Sequence, residues 1–227
     1  MSANVSSLPV QGSLFGLGEP GVDDTFADLH RIDLDNASWL DVARGWLGGH
    51  EVVFDRLWHD LPWRQRTVTM WEQLVPEPRL TWWWTVGGDA EPLPVLAAAR
   101  HALDRWYGQT FDSIGFNCYR GGDDSVAWHG DRHRHTVPNP IVAIVSVGAP
   151  RPFRLRPRGG GRARSFDLGH GDLLVMGGAC QHDWEHCVPK LRHASPRISI
   201  TYRYGADRRP SEGLARGPVR DANPPVR

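Results

Sequence analysis

A chain of 227 residues, 40% hydrophobic and 23% charged, is long enough for one sizeable core or two small ones. Its 26 basic and 26 acidic residues cancel, so no whole-molecule field draws in nucleic acid, and such binding must rest on a local patch. The first residues lack a cationic and an apolar signal segment, and no run of about 18 apolar residues occurs, so neither a signal peptide nor a transmembrane helix is expected.

Residues 1–30 are rich in Gly, Pro and Ser and read as a flexible N-terminal segment. From Ser38, the residues Trp39, Val42, Ala43, Trp46 and Leu47 recur at helical spacing behind a serine cap, predicting a helix that Gly48–Gly49 ends. A second helix follows and stops before Pro62. "TVTMWEQLVPEPRLTWWWTVGGD" reads as strands with a Pro-rich loop. "LPVLAAARHALDRWYGQT" is a helix with Leu96, Ala99, Ala102, Leu103 and Trp106 on one face. Beyond Asp112, "SIGFNCYR", "SVAWHGD", "PIVAIVSVG", "RPFRLRPR", "ARSFDLGHGDLLVMGG", "DWEHCVP" and "RISITYRY" are short strands separated by Gly, Pro and Asp, as in an antiparallel sandwich or barrel. The stretch 205–227 has little apolar content and reads as a disordered tail. Cys118, Cys180 and Cys187 lack CxxC spacing, which fits a reducing cytoplasm better than a disulfide framework.

The segment "CYRGGDDSVAWHGDRHRH", Cys118 to His135, admits three readings: a metal site, a basic nucleic-acid patch, or a polar loop. If "WHGD" is a strand, His129 and Asp131 share one face and supply two thirds of a 2-His-1-carboxylate triad. HxD alone is weak evidence. His186 in "DWEHCVP" offers a third ligand on a later strand, with His182 as a competitor at even spacing. In "RISITYR", Arg197, Ser199, Thr201 and Arg203 fall on one face. Either the arginines lie on a solvated sheet face, or they point inward and need anions, which a dicarboxylate such as 2-oxoglutarate provides. Asn117 and Tyr119 form another same-face pair of polar side chains.

In this order the residues resemble the AlkB-type Fe(II)/2-oxoglutarate-dependent dioxygenases. "NCYRGGDDSVAWHGD", "IVSVGAPRPFRL", "GDLLVMGGACQHDWEHCVP" and "RISITYR" carry the resemblance, and "PRLTWWW" adds to it less specifically. It implies a mainly β chain with flanking helices, whose double-stranded β-helix (jelly roll) core at 113–204 follows an N-terminal α/β nucleotide-recognition region at 31–112, the two forming a single domain, 31–204. It implies His129, Asp131 and His186 as iron ligands, and 2-oxoglutarate contacts from Asn117, Tyr119, Arg197 and Arg203. The implied reaction uses Fe(II), 2-oxoglutarate and O2 to demethylate N-alkylated bases such as 1-methyladenine and 3-methylcytosine in DNA or RNA, releasing formaldehyde, succinate and CO2. Arg132 and the following "HRH" depart from the acidic or polar residues often found there in DNA-repair members.

Local support for a nucleic-acid substrate is the arginine-rich "RPFRLRPRGGGRAR". Arg154, Arg156 and Arg158 alternate with apolar residues before a triple-glycine turn, and read either as a phosphate-contacting rim or as a solvated edge. Trp71 or one of Trp82–Trp84, with Trp82 and Trp84 foremost, is a candidate wall for an extruded base, although core packing is the default for tryptophan. Arg132 and its neighbours are assigned to the substrate-facing surface. The expected state is a monomer without a membrane partner. Two other readings remain: an oxygenase of a small molecule or protein side chain, and a non-catalytic nucleic-acid-binding module on the same fold.

Overall fold

Alternating apolar residues after Asp112 need a second apolar surface to cover them, and the chain supplies it by folding two sheets face to face. The computed structural model describes residues 18–70, 72–131 and 138–205. In chain order the elements are β1 (Gly21–Val22), β2 (His30–Asp33), β3 (Ser38–Ala43), β4 (Leu47–Gly48), α1 (His50–Asp60), β5 (Thr67–Met70), β6 (Gln73–Pro76), β7 (Leu80–Thr85) and α2 (Pro94–Tyr107). Then come β8 (Ser113–Tyr119), β9 (Val126–His129), β10 (Val142–Gly148), β11 (Arg151–Pro157), β12 (Arg164–Leu168), β13 (Asp172–Gly178), α3 (Cys180–Asp183), β14 (Trp184–Val188) and β15 (Arg197–Arg203).

A seven-stranded sheet runs β2-β3-β13-β10-β15-β8-β7, and a four-stranded sheet runs β12-β11-β14-β9. Every pairing in both is antiparallel. One apolar cluster fills the space between the sheets, with Leu40, Val142, Ile144, Phe153, Leu155, Leu174 and Trp184 among its members. A second lies on the other face of the large sheet, where Leu57, Leu96, Leu103, Phe116, Ile198 and Ile200 bury the helices against it. This is the jelly-roll arrangement with helices outside.

Two expectations change. Ser38–Ala43 is a strand, not a helix: it pairs with β2 on one side and β13 on the other, and all its residues but Trp39 are buried. Sheet pairing overrides a helical spacing of apolar residues that is equally compatible with burial on both faces. Asp41 anchors the strand, accepting bonds from Arg31 (2.7 and 2.8 Å) and from the Tyr107 hydroxyl of α2 (2.9 Å). Trp106 does not join the buried face of α2 but lies half exposed, stacked on Phe26 at 4.5 Å.

The expectation of a flexible stretch over 1–30 also meets a packed segment. Residues 18–30 contribute β1, and Phe26, only 4% exposed, packs against Trp46. Residues 1–17 and the tail from 206 lie outside the described residues. α1 begins at His50, just after Gly49 with φ +62°, where the Gly-Gly pair puts the start of the second helix.

Candidate metal centre

His129 and His186 are cross-strand partners at the contact of β9 with β14, with ring centroids 4.3 Å apart. Asp131 lies two residues past the end of β9, not on the strand as the same-face argument supposes, and the loop turns its carboxylate back. One ligand-type atom from each of the three residues lies within 4.8 Å of the others. A β-bulge in β9 makes the pairing possible. His186 faces His129 and Val188 faces Val126, so two steps along β14 answer three along β9.

The donors are prepared for a cation. His129 Nδ1 donates to the Ala127 carbonyl at 2.9 Å, which leaves Nε2 with its lone pair free to ligate. Asp131 Oδ1 accepts from Arg203 Nη2 at 2.9 Å, while Oδ2 is buried without a partner. Burial pushes the Asp131 carboxyl pKa up, but the Arg203 guanidinium, then His186 and His129, overcome this and hold it well below the usual range. Two imidazoles and a carboxylate with one orphaned oxygen fit a divalent first-row metal with open positions. His182 is excluded from the cluster. It sits in α3, and its Nε2 meets the Pro138 carbonyl at 2.7 Å.

Beside the triad the large sheet presents a cationic lining. Tyr119 is buried, and burial raises its hydroxyl pKa, opposed by Arg197, Arg79, Arg151 and Arg203 around it. Arg197 is 1% exposed; it donates to Ser146 Oγ at 2.5 Å, and its Nε has no partner. Burial drops its pKa to about 10, with the Tyr119 hydroxyl opposing the shift and Arg151 adding to it. A fully buried guanidinium bonded to a hydroxyl rather than a carboxylate is a site for an exogenous anion. Asn117 Oδ1 accepts from Arg79 Nε at 3.1 Å, so it too borders this space.

Three contributors escape a reading by sequence, and a fourth is offered there only as one of three neighbours. Arg79, within the quoted "PRLTWWW", reaches Asn117 from the start of the neighbouring strand β7. Ser146 binds Arg197 from β10. Arg151 is fully buried and donates to the carbonyls of Gly121, Asp124 and Pro189, fixing the GGDD turn and the segment after β14. Trp83 is the fourth. Register puts Trp83 opposite Gly115, and its ring lies over that glycine, where an added Cβ would come within 2.6 Å of it. The same ring is 5.5 Å from the Arg203 guanidinium and 41% exposed.

This corrects the candidate base walls. Trp82 and Trp84 point to the helix side: Trp82 packs on Phe116, and Trp84 is 7% exposed with its indole N–H on the Asp89 carbonyl. The parity of Asn117 and Tyr119 would have selected Trp83, had the β7–β8 register been legible. Trp71 and Arg132 lie outside the described residues, as do His133 and His135.

The basic strand also divides. Arg156 is paired with Glu185 and sits 4.1 Å over the Trp128 ring, and Arg158 donates to the His182 carbonyl. Arg154 is exposed and has no partner among the described residues, so the rim of three free arginines reduces to one on this strand. The hairpin turn is where the triple glycine puts it, with φ of +86°, +114° and +120° at Gly159, Gly160 and Gly161. Cys187, beside His186, faces the other way, and burial raises its thiol pKa.

Residues 59–203 match the family model described as the 2OG-Fe(II) oxygenase superfamily. The chain is 36% identical over 171 residues to alpha-ketoglutarate-dependent dioxygenase alkB homolog 3 of Bos taurus, covering 66% of this chain and 60% of that protein. It is 31% identical over 216 residues to DNA oxidative demethylase ALKBH2 of Arabidopsis thaliana, covering 76% of this chain and 68% of that one. The chain thus spans about three fifths of the length of the alkB homolog 3 relatives it matches. A Trichoplax adhaerens prolyl hydroxylase, solved with a hypoxia inducible factor peptide, shares the fold with a TM-score of 0.56 at 13% identity, covering 73% of this chain and 83% of its own.

Proposed function

Because the chain belongs to the 2OG-Fe(II) oxygenase superfamily, we propose that it dealkylates N-alkylated bases in DNA or RNA oxidatively, acting as a monomer with His129, Asp131 and His186 holding Fe(II). The observation that carries this reading is the triad joined through Arg203 to a lining that holds Tyr119 and a buried arginine, Arg197, bonded to no carboxylate. The family implies Fe(II), 2-oxoglutarate and O2 as the reacting set. When bound, they supply the oxidation that turns an N-methyl group into formaldehyde and the free base while 2-oxoglutarate leaves as succinate and CO2.

The chain's own groups orient and shelter that chemistry. The Ala127 carbonyl fixes the His129 tautomer, and Arg203 fixes the Asp131 carboxylate while leaving Oδ2 to the metal. Arg197 takes the far carboxylate of 2-oxoglutarate, with the Tyr119 hydroxyl alongside and Asn117 at the border of the space. Burial of this lining keeps water from the co-substrate. Trp83, exposed at the mouth beside Arg203, supplies an aromatic face for an extruded base. Arg154 remains for phosphate contact.

The test is formaldehyde release from oligonucleotides carrying 1-methyladenine or 3-methylcytosine, using Fe(II)-loaded protein with 2-oxoglutarate and O2. If 2-oxoglutarate is consumed but no methylated oligonucleotide releases formaldehyde, the nucleic-acid reading is lost and a small-molecule or side-chain substrate takes its place. Trp83→Ala is expected to lower kcat/KM for the oligonucleotide by about tenfold, one base-stacking contact's worth. Substrate-free turnover of 2-oxoglutarate should not change. An unaltered kcat/KM would remove Trp83 from the substrate surface.

A further inference from the structure

Gly130 separates two of the three triad residues, and its backbone is covered. A Cβ built there would lie 2.6 Å from Arg158 Nη2 and 3.4 Å from the Gln181 carbonyl oxygen. Arg158, at the base of the β11–β12 hairpin, donates from Nε to the His182 carbonyl at 2.7 Å and from Nη2 towards that of Gln181 at 3.4 Å. Its backbone N–H donates to the Asp183 carbonyl at 2.7 Å. These carbonyls end α3, which runs straight into β14 and His186.

One side chain therefore touches both pieces of chain that deliver the triad. It caps the carbonyls of the turn before His186 and brings a guanidinium nitrogen against Gly130, between His129 and Asp131. The geometry points to Arg158 as a positioning residue for the metal centre, a clamp that holds the HGD turn against the α3–β14 junction, rather than a contact for nucleic-acid phosphate. Glycine between the two ligands leaves room for this contact, and a side chain there would displace the guanidinium.

This inference rests on the triad's holding a divalent ion, and the experiment separates the two claims. Mn(II) affinity is measured by electron paramagnetic resonance for the parent protein, Arg158→Ala, Gly130→Ala and the double variant. Each is accompanied by the Tm of the metal-free protein and the Co(II) ligand-field spectrum. Arg158→Ala is expected to weaken Mn(II) binding about tenfold, the scale of losing an outer-shell support, and to alter the Co(II) spectrum. Arg158 is exposed, so the metal-free Tm should move by no more than about 3 °C.

Gly130→Ala acts by displacing Arg158. It should weaken binding in the parent background and add nothing to Arg158→Ala. Should Arg158→Ala fail to fold, Gly130→Ala alone carries the test, with weakened Mn(II) binding in support and unchanged binding against. Parent-like Mn(II) affinity in Arg158→Ala, with weakened oligonucleotide binding, would return Arg158 to the substrate surface and overturn the clamp. Additive effects of the two substitutions would overturn it as well. Failure of the parent to bind Mn(II) would instead fell the metal-centre reading, and the clamp with it.

Discussion

Asp131→Ala is expected to release no formaldehyde above a metal-free control and to unfold more easily even without metal. Two physical effects combine. The metal loses its one oxygen donor from the triad, leaving a pair of imidazoles that cannot define a three-point face. Arg203 also loses the carboxylate that compensates its charge, in a pair whose side chains are 14% and 8% exposed. Removing one member of such a pair costs on the order of 3 kcal/mol, because the remaining charge stays buried. Urea titration of the metal-free proteins checks the second effect independently of turnover. Parent-like stability would mean that Arg203 relaxes to solvent, and retained turnover would refute Asp131 as a ligand.

Arg197→Met should separate function from stability in the opposite sense. The guanidinium is buried and bonded to hydroxyls, those of Ser146 and Tyr119, and to no carboxylate, so the empty protein carries a charge it does not need. Replacing it with an apolar side chain of similar length removes that desolvation cost. The Tm of the co-substrate-free protein is expected to stay within about 3 °C of the parent or to rise. Affinity for 2-oxoglutarate should fall by at least about 30-fold, since a buried charged contact to the far carboxylate is lost. Calorimetric titration of 2-oxoglutarate into Mn(II)-loaded protein reads the second quantity. A lowered Tm with unchanged affinity would make Arg197 a structural residue.

What the sequence discloses follows strand alternation, and what it hides follows register. Arg197, Ser199, Thr201 and Arg203 are legible on one face because β15 is regular and paired throughout its length. His186 is preferred over His182 from its setting, and the structure brings His186 and not His182 to the cluster. Trp83 is not singled out from Trp82 and Trp84 because three consecutive tryptophans give no alternation, and only pairing with Gly115 reveals which one faces the site. Ser38–Ala43 is misread because a doubly buried strand has apolar residues on both faces, which also satisfies helical spacing. Asp131 reaches the cluster from a loop, so its coincidence with strand parity is fortuitous. The arginine stripe reads as one surface, yet Arg156 and Arg158 are occupied by partners distant in the chain, Glu185 and the α3 carbonyls.

The extra residue in β9 has a consequence for how the chemistry is encoded. Val126 packs towards the inter-sheet cluster and His129 turns towards His186, though three residues apart they would lie on opposite faces of an unbroken strand. The irregularity is thus a phase shift written into the chain, letting one short strand first serve the core and then aim a donor. It also leaves the Ala127 carbonyl available to set the proton on the imidazole it redirects. A chain with every ligand residue intact but one residue fewer between Val126 and His129 would keep the letters of the motif and lose its geometry.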